Sequence, residues 1–547
     1  MSRSPRFAIV LAIVLTYALG LWFGGESSAA VDPRPAEVGP VNVRPVKIRP
    51  ASRPNILFVL TDDMSRADLH TMPGVRATIT RQGIRFTRAM VSVSLCCPSR
   101  TTILRGQYAH NTGVHTNGGT NGGFESAYRK GVERSTIATW LQHSGYRTGL
   151  IGKYLNGFPN GAPPGYRPPG WTDWVTPVAG DPYTEYGYVL DVNGHRVTHG
   201  FTEQDYGTRV YLRHARRFIS DAARAHRPFF LDLALYAPHR PATPDPSDAH
   251  SLDGLTLPRP PSFNERDVSD KPRWLRQVPR MNAHIIERSR ALFQRRRESL
   301  QAVDRAVVGL IDLLRRTHQL DNTYVVFTSD NGFHSGEHRL PAGKQTAFEE
   351  DIRVPLVIRG PGIAAGRTSG AIVGNVDFAP TFAGLAGVRP ARFVDGRSLV
   401  GLLQGKRPDH PRRAYLLEHW QETGVATRQR GLPLEPPDHD DTDTPRTPRS
   451  RPRTGHRLRH PGIVDHDRIP QYQGMRTDHY TYVEYVTGER ELYDLRRDPH
   501  ELQNVYSRAT RRTRDGLEAA LAALEECRGS ACRRIESRPP VVLRWSH

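Results

Sequence analysis

Two pairs of oxygen-bearing side chains, Asp62-Asp63 and Asp330-Asn331, are placed in the sequence where they could share a metal ion. Each pair follows a short apolar run that is typical of a buried strand. Carboxylate and amide oxygens suit a hard cation such as Ca²⁺ or Mg²⁺ and do not suit zinc. Either pair alone is also a common turn sequence. At the ends of two strands that we predict to be neighbours, the pairs together favour a metal site.

Lysine is rare in this chain, since only six of its 76 basic residues are lysines. Lys153 and Lys344 each follow a glycine near the same predicted sheet edge, and we expect them to face an anion as point charges. His239, His334 and His338 are candidate proton donors. For each histidine, a structural, hydrogen-bonded role is an equally good interpretation.

The four cysteines fall into two pairs of different character. Cys527 and Cys532 are five residues apart and predict a small-loop disulfide in an exported protein. Adjacent cysteines such as Cys96 and Cys97 rarely bridge each other, because the geometry requires a strained peptide. Two thiols would then remain outside any disulfide in an oxidising compartment. This indicates that one of them does not act as an ordinary cysteine.

The elements that must position these residues alternate between strand and helix. The predicted strands are 55–60, 148–151, 229–235, 324–328 and 354–358. The predicted helices between them include 136–143, 208–225 and 295–317. This alternation predicts an α/β fold with a largely parallel sheet and helices on both faces. The polar groups that follow the strands are Asp62-Asp63, Gly152-Lys153, Pro238-His239 and Ser329-Asp330-Asn331. Since α/β sheets bind ligands at the carboxyl ends of their strands, we expect these groups to converge.

The N-terminal segment is typical of a secretory signal. Arg3 and Arg6 precede an apolar run, 7–23, and the small residues 27–30 follow it. We predict a signal peptide over 1–30 and export of the protein. An uncleaved membrane anchor is the alternative, because the apolar run is nearly long enough to span a bilayer. The Pro- and Arg-rich segment 31–52 predicts a solvated linker.

The remainder divides into a predicted catalytic domain, 53–403, and a smaller C-terminal subdomain, 404–547. Within the latter, alternating segments at 480–486 and 491–495 predict a hairpin, and 513–526 predicts a helix. Residues 421–471 are rich in Pro, Arg, Asp and Thr without periodicity, which predicts a long loop insertion.

Composition excludes several classes of protein. Hydrophobic residues make up 37% of the chain, which excludes a wholly disordered protein. No apolar run beyond the N-terminus is long enough to span a bilayer, so a polytopic membrane protein is excluded. The formal net charge of +20 would favour polyanions as binding partners. However, the chain lacks the recognition helix or interleaved aromatics of a nucleic-acid binder, so we expect no nucleic-acid partner.

The segment from Cys96 to Arg100, Cys-Cys-Pro-Ser-Arg, resembles the type I sulfatase signature Cys-x-Pro-Ser-Arg. In that family the first cysteine is oxidised after translation to formylglycine. The match extends beyond these five residues. Seven segments resemble the N-acetylglucosamine-6-sulfatase and heparan endosulfatase branch: 54–63, 94–111, 151–157, 322–334, 350–355, 376–381 and 491–495. The resemblance covers about 53–403 and resumes near 473, and the insertion between has no counterpart.

The resemblance implies an alkaline-phosphatase-like α/β fold, with a central, mostly parallel sheet and a smaller C-terminal antiparallel sheet plus helix. It also implies roles for individual residues. Asp62, Asp63, Asp330 and Asn331 match the family's Ca²⁺ ligands, with modified Cys96 near the ion. Arg100 matches the arginine that steadies formylglycine, and Lys153, His239 and Lys344 match residues that grip sulfate or protonate the leaving oxygen. Cys97 occupies the variable second position.

One position departs from the family pattern. Many arylsulfatases carry Gly-Lys-Trp-His where this chain has Gly152-Lys153-Tyr154-Leu155. The histidine that would assist sulfate release is therefore absent at Leu155, as in the glucosamine-6-sulfatase branch. His334 is a candidate substitute.

These observations together predict a secreted sulfatase that hydrolyses sulfate monoesters of a small molecule or a glycan, glucosamine-6-sulfate among them. A formylglycine-generating enzyme would be its maturation partner, and no stable membrane partner is expected. A phosphodiesterase or phosphonate monoester hydrolase of the same superfamily is the first alternative. A non-catalytic glycan-binding relative is the second, but the intact nucleophile and metal positions argue against it.

Overall fold

The computed structural model of the protein describes residues 53–423 and 469–546. The predicted signal peptide, the predicted linker and the larger part of the predicted insertion lie outside the described residues. Among the residues that are described, the model has no helix that is both long and apolar enough to cross a membrane.

Ten strands form one sheet in the order β10-β2-β9-β8-β1-β7-β3-β4-β5-β6. They are β1 Asn55–Thr61, β2 Ile84–Met90, β3 Arg147–Gly152, β4 Asp173–Gly180, β5 Tyr188–Val192, β6 His195–His199, β7 Phe229–Ala234, β8 Thr323–Ser329, β9 Leu356–Arg359 and β10 Arg367–Gly374. The central strands, from β8 to β4, run parallel to one another. Strand β9 is antiparallel to both of its neighbours, β8 and β2. The predicted, mostly parallel α/β sheet is therefore confirmed.

The central strand β1 shows why the apolar runs form this sheet. Every residue of β1 is buried, and its register pairs Ile56 with Phe230 of β7 on one side and with Tyr324 of β8 on the other. A parallel strand covered on both faces needs a continuous apolar sequence, and that is the pattern of this segment. Asp62 follows β1 directly and therefore lies at the carboxyl-terminal edge of the sheet, where the parallel strands end.

The helices cover both faces of the sheet. The helices of the described residues are α1 Pro73–Val75, α2 Cys96–Arg105, α3 Ala109–Thr112, α4 Gly123–Arg129, α5 Ile137–His143, α6 Gly207–Arg224, α7 Arg273–Arg276, α8 Ala283–Arg316, α9 Glu349–Ile352, α10 Phe378–Leu385, α11 Val400–Leu403, α12 Arg511–Glu525 and α13 Ser530–Glu536. Helices α2, α5 and α10 contribute to the apolar core on one face. Helices α6 and α8 contribute to the core on the opposite face. Core packing on both faces thus holds the strand ends in fixed positions.

Helix α8 begins earlier than the sequence predicts. The apolar periodicity starts near 295, but the helix begins at Ala283, where the Asn282 side chain accepts a hydrogen bond from the Ile285 N–H. Its first turns carry mostly polar residues, so an amphipathic pattern is not visible there. The N-cap stabilises turns that the core does not.

A second, smaller sheet lies in the C-terminal part of the chain. It is antiparallel in the order β11 Ala414–His419, β12 Tyr472–Thr477, β13 Tyr480–Tyr485 and β14 Arg490–Asp494. Helix α12 supplies Leu517 and Leu521 to the core that it shares with this sheet. The predicted hairpin, C-terminal helix and Cys527–Cys532 disulfide are confirmed. Strands β11 and β12 were not predicted, since the pairing partners lie on either side of the insertion.

Candidate active site

The residues singled out for chemistry lie together beside the carboxyl end of the central sheet. Asp62 and Asp63 follow β1, Lys153 follows β3, His239 follows β7, Asp330 and Asn331 follow β8, Cys96 and Arg100 belong to α2, and Lys344 lies in the loop before α9. Each of these nine side chains belongs to a residue that is no more than 3% exposed. The predicted convergence of four strand ends is confirmed.

The parallel register of β1 and β8 brings the two acidic pairs together. Thr61 is paired with Ser329, so the next residues of both strands emerge side by side. The Asn331 Nδ2 donates to Asp63 Oδ1 at 2.7 Å, and the Asp63 N–H donates to Asp330 Oδ1 at 3.1 Å. The strands are therefore neighbours, as predicted for a shared metal site.

Cys96 begins helix α2 and faces this cluster. Its Sγ lies 3.3 Å from Asp62 Oδ1 and 3.0 Å from Lys344 Nζ. Cys96 is 0% exposed, so its thiol is shielded from solvent.

Cys97 is buried in a different environment. Its side chain belongs to the apolar core beneath the helix, and its N–H donates to Asn117 Oδ1 at 2.8 Å. Burial raises the pKa of the Cys97 thiol to about 12, so the thiol stays protonated and is a poor nucleophile. The two adjacent cysteines are thus chemically distinct.

Arg100 lies one turn after Cys96 and connects two strand ends. Its Nε donates to Asp330 Oδ2 at 2.8 Å, and its Nη1 donates to the Lys153 carbonyl at 3.0 Å. Its Nη2 lies 3.8 Å from Asp62 Oδ2. The guanidinium therefore fixes the carboxylates relative to the helix that carries Cys96.

Two lysine ammonium groups contact the pair Asp62-Asp63. Lys153 Nζ donates to Asp62 Oδ2 at 2.5 Å, and Lys344 Nζ donates to Asp63 Oδ1 at 2.7 Å. Lys344 also contacts Cys96, as described above. The prediction that both rare lysines lie at one edge of the sheet is confirmed.

The cluster has opposing effects on its carboxylates. Burial would raise the pKa of Asp62, but the cations Lys153, His239 and Arg100 together hold that pKa well below its usual range. Burial and the negative charge of Asp62 raise the pKa of Asp330. Crowded carboxylates repel one another, and an additional cation would relieve that repulsion.

The three candidate histidines lie in three environments. His239 Nε2 is 3.5 Å from Asp63 Oδ2, and its Nδ1 lies 2.7 Å from the Arg240 carbonyl oxygen. Because a carbonyl only accepts, Nδ1 carries a proton and Nε2 faces the acidic pair. His334 Nδ1 contacts Asp351 Oδ1 at 2.9 Å. His338 Nδ1 contacts a different carboxylate, Glu265 Oε2, at 2.8 Å.

The donor set fits a hard divalent cation. Asp62, Asp63 and Asp330 supply carboxylate oxygens, and the buried Asn331 Oδ1 has no hydrogen-bond partner among the described residues. A buried polar oxygen is costly unless something satisfies it. An all-oxygen set of this kind suits Ca²⁺ or Mg²⁺.

Several residues that support the site were not predicted from the sequence. The rings of Tyr183 and Tyr236 lie 4.9 and 5.9 Å from Lys153 Nζ. The Asn375 Nδ2 donates to Ser99 Oγ at 2.9 Å and links the start of α2 to a distant turn. Tyrosine and asparagine are frequent in cores and turns, and no motif of this chain singled them out.

The chain is similar to several known proteins. The sequence model of the family described as "Sulfatase" matches residues 54–388. A protein of Caenorhabditis elegans named putative extracellular sulfatase Sulf-1 homolog is 39% identical over 69% of this chain and 53% of its own length. The human N-acetylglucosamine-6-sulfatase is 32% identical over 88% of this chain and 86% of its own length. The chain thus spans about half of the first relative.

A solved structure shares the fold. It is described as a complex of a protein with its substrate D-glucosamine-2-N,6-O-disulfate, and it has a TM-score of 0.68 and 23% sequence identity to this chain. The likeness covers 88% of this chain and 99% of the other. It supports the fold assignment, whereas the match over 54–388 and the identity to the human enzyme establish the relationship. The chain belongs to the sulfatase family.

Proposed function

We propose that the protein is a secreted enzyme that hydrolyses sulfate monoesters with a formylglycine made from Cys96 and one Ca²⁺ ion. The observation that carries the proposal is the position of the Cys96 sulfur. It lies within 3.3 Å of both an acidic oxygen of Asp62 and the ammonium of Lys344. A nucleophile at this place faces oxygens that can bind a cation and an ammonium that can bind an anion.

Two groups complete the proposed site. Asp62, Asp63, Asp330 and Asn331 would hold Ca²⁺, with residue 96 beside it. When bound, the ion supplies positive charge that favours a deprotonated hydroxyl and neutralises sulfuryl oxygens. Formylglycine supplies, as its hydrate, two hydroxyls on one carbon, so that one can receive the sulfuryl group while the other assists its release.

The chain's own residues bind and orient the sulfate. Lys153 and Lys344 are buried and lie at the same edge of the sheet. Burial would lower the pKa of Lys153, but the negative charge of Asp62 raises it well above its usual value. Both ammonium groups are positioned to neutralise charge that develops on the sulfuryl oxygens in the transition state. Arg100 keeps Asp330 and the Lys153 backbone in register with Cys96.

His239 is the proposed proton donor to the leaving oxygen. Its ring is oriented by the Arg240 carbonyl, and its Nε2 faces the acidic pair. A positioned general acid contributes typically about 10²–10⁴-fold to the rate. Leu155 is 3% exposed and packs in the apolar core, so no side chain at that position moves a proton.

A selectivity measurement tests the proposed reaction. We expect kcat/KM on an aryl sulfate to exceed that on an aryl phosphate diester and on an aryl phosphonate monoester by at least about tenfold, because the site would be complementary to sulfate transfer. All three esters should carry the same aryl leaving group, so that only the transferred group differs. A preference for the phosphate diester would contradict the proposal and favour a phosphodiesterase, and a preference for the phosphonate would favour a phosphonate monoester hydrolase.

We further propose a sulfated glycan as substrate, with the 6-O-sulfate of glucosamine as the bond that is cleaved. The name of one relative, N-acetylglucosamine-6-sulfatase, supports this. The formal net charge of +20 would draw an anionic polymer towards the protein.

Salt dependence tests the electrostatic part of this substrate assignment. We expect kcat/KM on a sulfated oligosaccharide to fall steeply between low and physiological ionic strength, while a small aryl sulfate is barely affected. The aryl sulfate is the control for any effect of salt on the catalytic site itself. Equal salt dependence for both, or no sulfate released from glucosamine-6-sulfate, would contradict the assignment.

Maturation and location complete the proposal. A formylglycine-generating enzyme would act on Cys96, and the segment 1–30 would direct export of the chain. The names of the extracellular relatives support this location. The domain boundary near 403 is likewise proposed from the sequence, where the composition changes.

A further inference from the structure

A second group of titratable side chains lies outside the proposed catalytic centre. One ring nitrogen of His338 and one carboxylate oxygen each of Glu350 and Glu501 lie within 4.8 Å of one another. His338 and Glu501 are each 1% exposed, and Glu350 is half-buried. The three residues come from the loop after β8, from helix α9 and from the segment after β14.

The ring of His338 is fixed in one orientation. Its Nδ1 lies 2.8 Å from Glu265 Oε2, and Glu265 in turn pairs with Lys271 at 3.3 Å. The ring stacks on Phe348 with a centroid distance of 3.8 Å. The backbone N–H of His338 donates to the Ser262 carbonyl at 2.7 Å. With Phe348 stacked on one face and Glu265 at Nδ1, the ring can turn only its Nε2 towards a ligand.

The Nε2 of His338 is buried and has no hydrogen-bond partner among the described residues. Burial lowers the pKa of His338, so the ring is neutral and keeps a lone pair on one nitrogen. A histidine that binds a metal usually donates its other ring N–H to a carboxylate, as His338 can to Glu265. The unpartnered nitrogen therefore points to a ligand and not to a structural hydrogen bond.

The two carboxylates that are grouped with His338 are crowded by neighbouring negative charge. Glu350 Oε2 is buried and has no hydrogen-bond partner among the described residues. Burial, together with the negative charges of Glu337 and Glu501, raises the pKa of Glu350 well above its usual range. Burial and the neighbouring Glu349 raise the pKa of Glu501 to about 8. A divalent cation would offset this repulsion and satisfy both orphaned atoms.

We propose that His338, Glu350 and Glu501 bind a divalent transition metal ion of the Zn²⁺ class. One neutral imidazole and two carboxylates form a mixed nitrogen and oxygen set, which suits Zn²⁺, whereas Ca²⁺ takes oxygen ligands. The site would be structural, because it links the loop that carries Lys344 to α9 and to the C-terminal segment. It is independent of the proposed reaction.

Metal binding in the presence of Ca²⁺ tests this site. The tag-free full chain is prepared with Cys96→Ala, so that the thiol at the catalytic centre cannot bind zinc, and with saturating Ca²⁺. Zinc content after gel filtration, the affinity for Zn²⁺ and the absorption spectrum of the Co²⁺-substituted protein are measured. We expect one tightly bound equivalent and a thermal midpoint that rises with Zn²⁺, since a ligand that binds only the folded state stabilises it.

Variants assign the ion to these residues. In the same background, Glu350→Gln and His338→Phe should each weaken zinc binding at least about tenfold, because each removes a ligand atom. Glu287→Gln is the matched control, since Glu287 lies on the surface and pairs with Arg290. Asp63→Asn should also keep the one bound equivalent of zinc, because it alters only the proposed catalytic centre.

Three outcomes would overturn the site. The first is a folded parent protein that takes up no zinc and shows no shift of its thermal midpoint, which would mean that protons neutralise the carboxylates. Zinc binding that is unchanged in Glu350→Gln would also contradict it, as would loss of zinc in Asp63→Asn. The measurement on the Cys96→Ala parent needs no change at the proposed zinc ligands, so a ligand variant that fails to fold leaves the test intact.

Discussion

Replacing Cys96 by alanine is expected to reduce kcat for an aryl sulfate by at least about 10³-fold, because it removes the proposed nucleophile and no other group can replace it. Cys97→Ala should retain most of the activity. The two residues are adjacent and both buried, but only Cys96 faces the acidic pair and Lys344. The comparison therefore separates the chemistry from the packing around it.

Both variants should be assayed on protein whose thermal unfolding matches that of the wild type. Cys97→Ala removes a buried sulfur from the apolar core and can lower stability, so its activity is normalised to folded protein. The opposite pattern, with Cys96→Ala active and Cys97→Ala inactive, would show that the assignment of the nucleophile is wrong.

Loss of the metal site should have the second largest effect. Asp63 accepts hydrogen bonds from Lys344 and Asn331 and lies beside His239, so it occupies the centre of the cluster. We expect Asp63→Asn to lower kcat/KM by at least about 10²-fold, because the change removes a charged ligand without changing the size of the side chain. Exhaustive chelation of the wild type should abolish activity, and Ca²⁺ should restore it.

The matched control for this prediction is Asp312→Asn, which makes the same chemical change at an exposed carboxylate paired with Arg315. It should keep both full activity and the dependence on Ca²⁺. Calcium content, measured directly on each variant, distinguishes a lost ligand from a disturbed fold. Full activity of a verified metal-free wild type, or undiminished Ca²⁺ binding by Asp63→Asn, would contradict the metal assignment.

Much of the candidate active site at the carboxyl end of the sheet could be predicted from the sequence, because of how parallel strands are buried. Parallel strands that are buried on both faces must be continuous apolar runs, and their polar successors must emerge at one edge. Asp62, Lys153 and Asp330 each follow such a run directly. Local sequence therefore sufficed to place them at the same edge.

Contacts between distant segments could not be predicted in the same way. The pairing of β11 with β12 joins strands on either side of the insertion, and no local pattern indicates it. Likewise, the sequence singles out His239, but it does not show which carboxylate the ring of His239 or of His338 meets. Which carboxylate each ring meets depends on how the loops pack, and the structure places His338 beside Glu265.

The cluster of His338, Glu350 and Glu501 shows the same limit. Glu350 and Glu501 are far apart in the sequence, and single glutamates are normally solvated surface residues. Their unusual property is burial next to like charge, which arises only when α9 meets the C-terminal segment. A sequence pattern of charge alone does not reveal it.

The central claim is that sulfate hydrolysis by this chain depends on modified Cys96. The most direct measurement determines, in a series of preparations made with increasing amounts of a formylglycine-generating enzyme, both the modified fraction of the Cys96 peptide by mass spectrometry and kcat for an aryl sulfate. We predict that kcat rises in proportion to the modified fraction and extrapolates to zero for the unmodified protein. Equal turnover by unmodified protein, or no turnover by fully modified and Ca²⁺-loaded protein, would contradict the account.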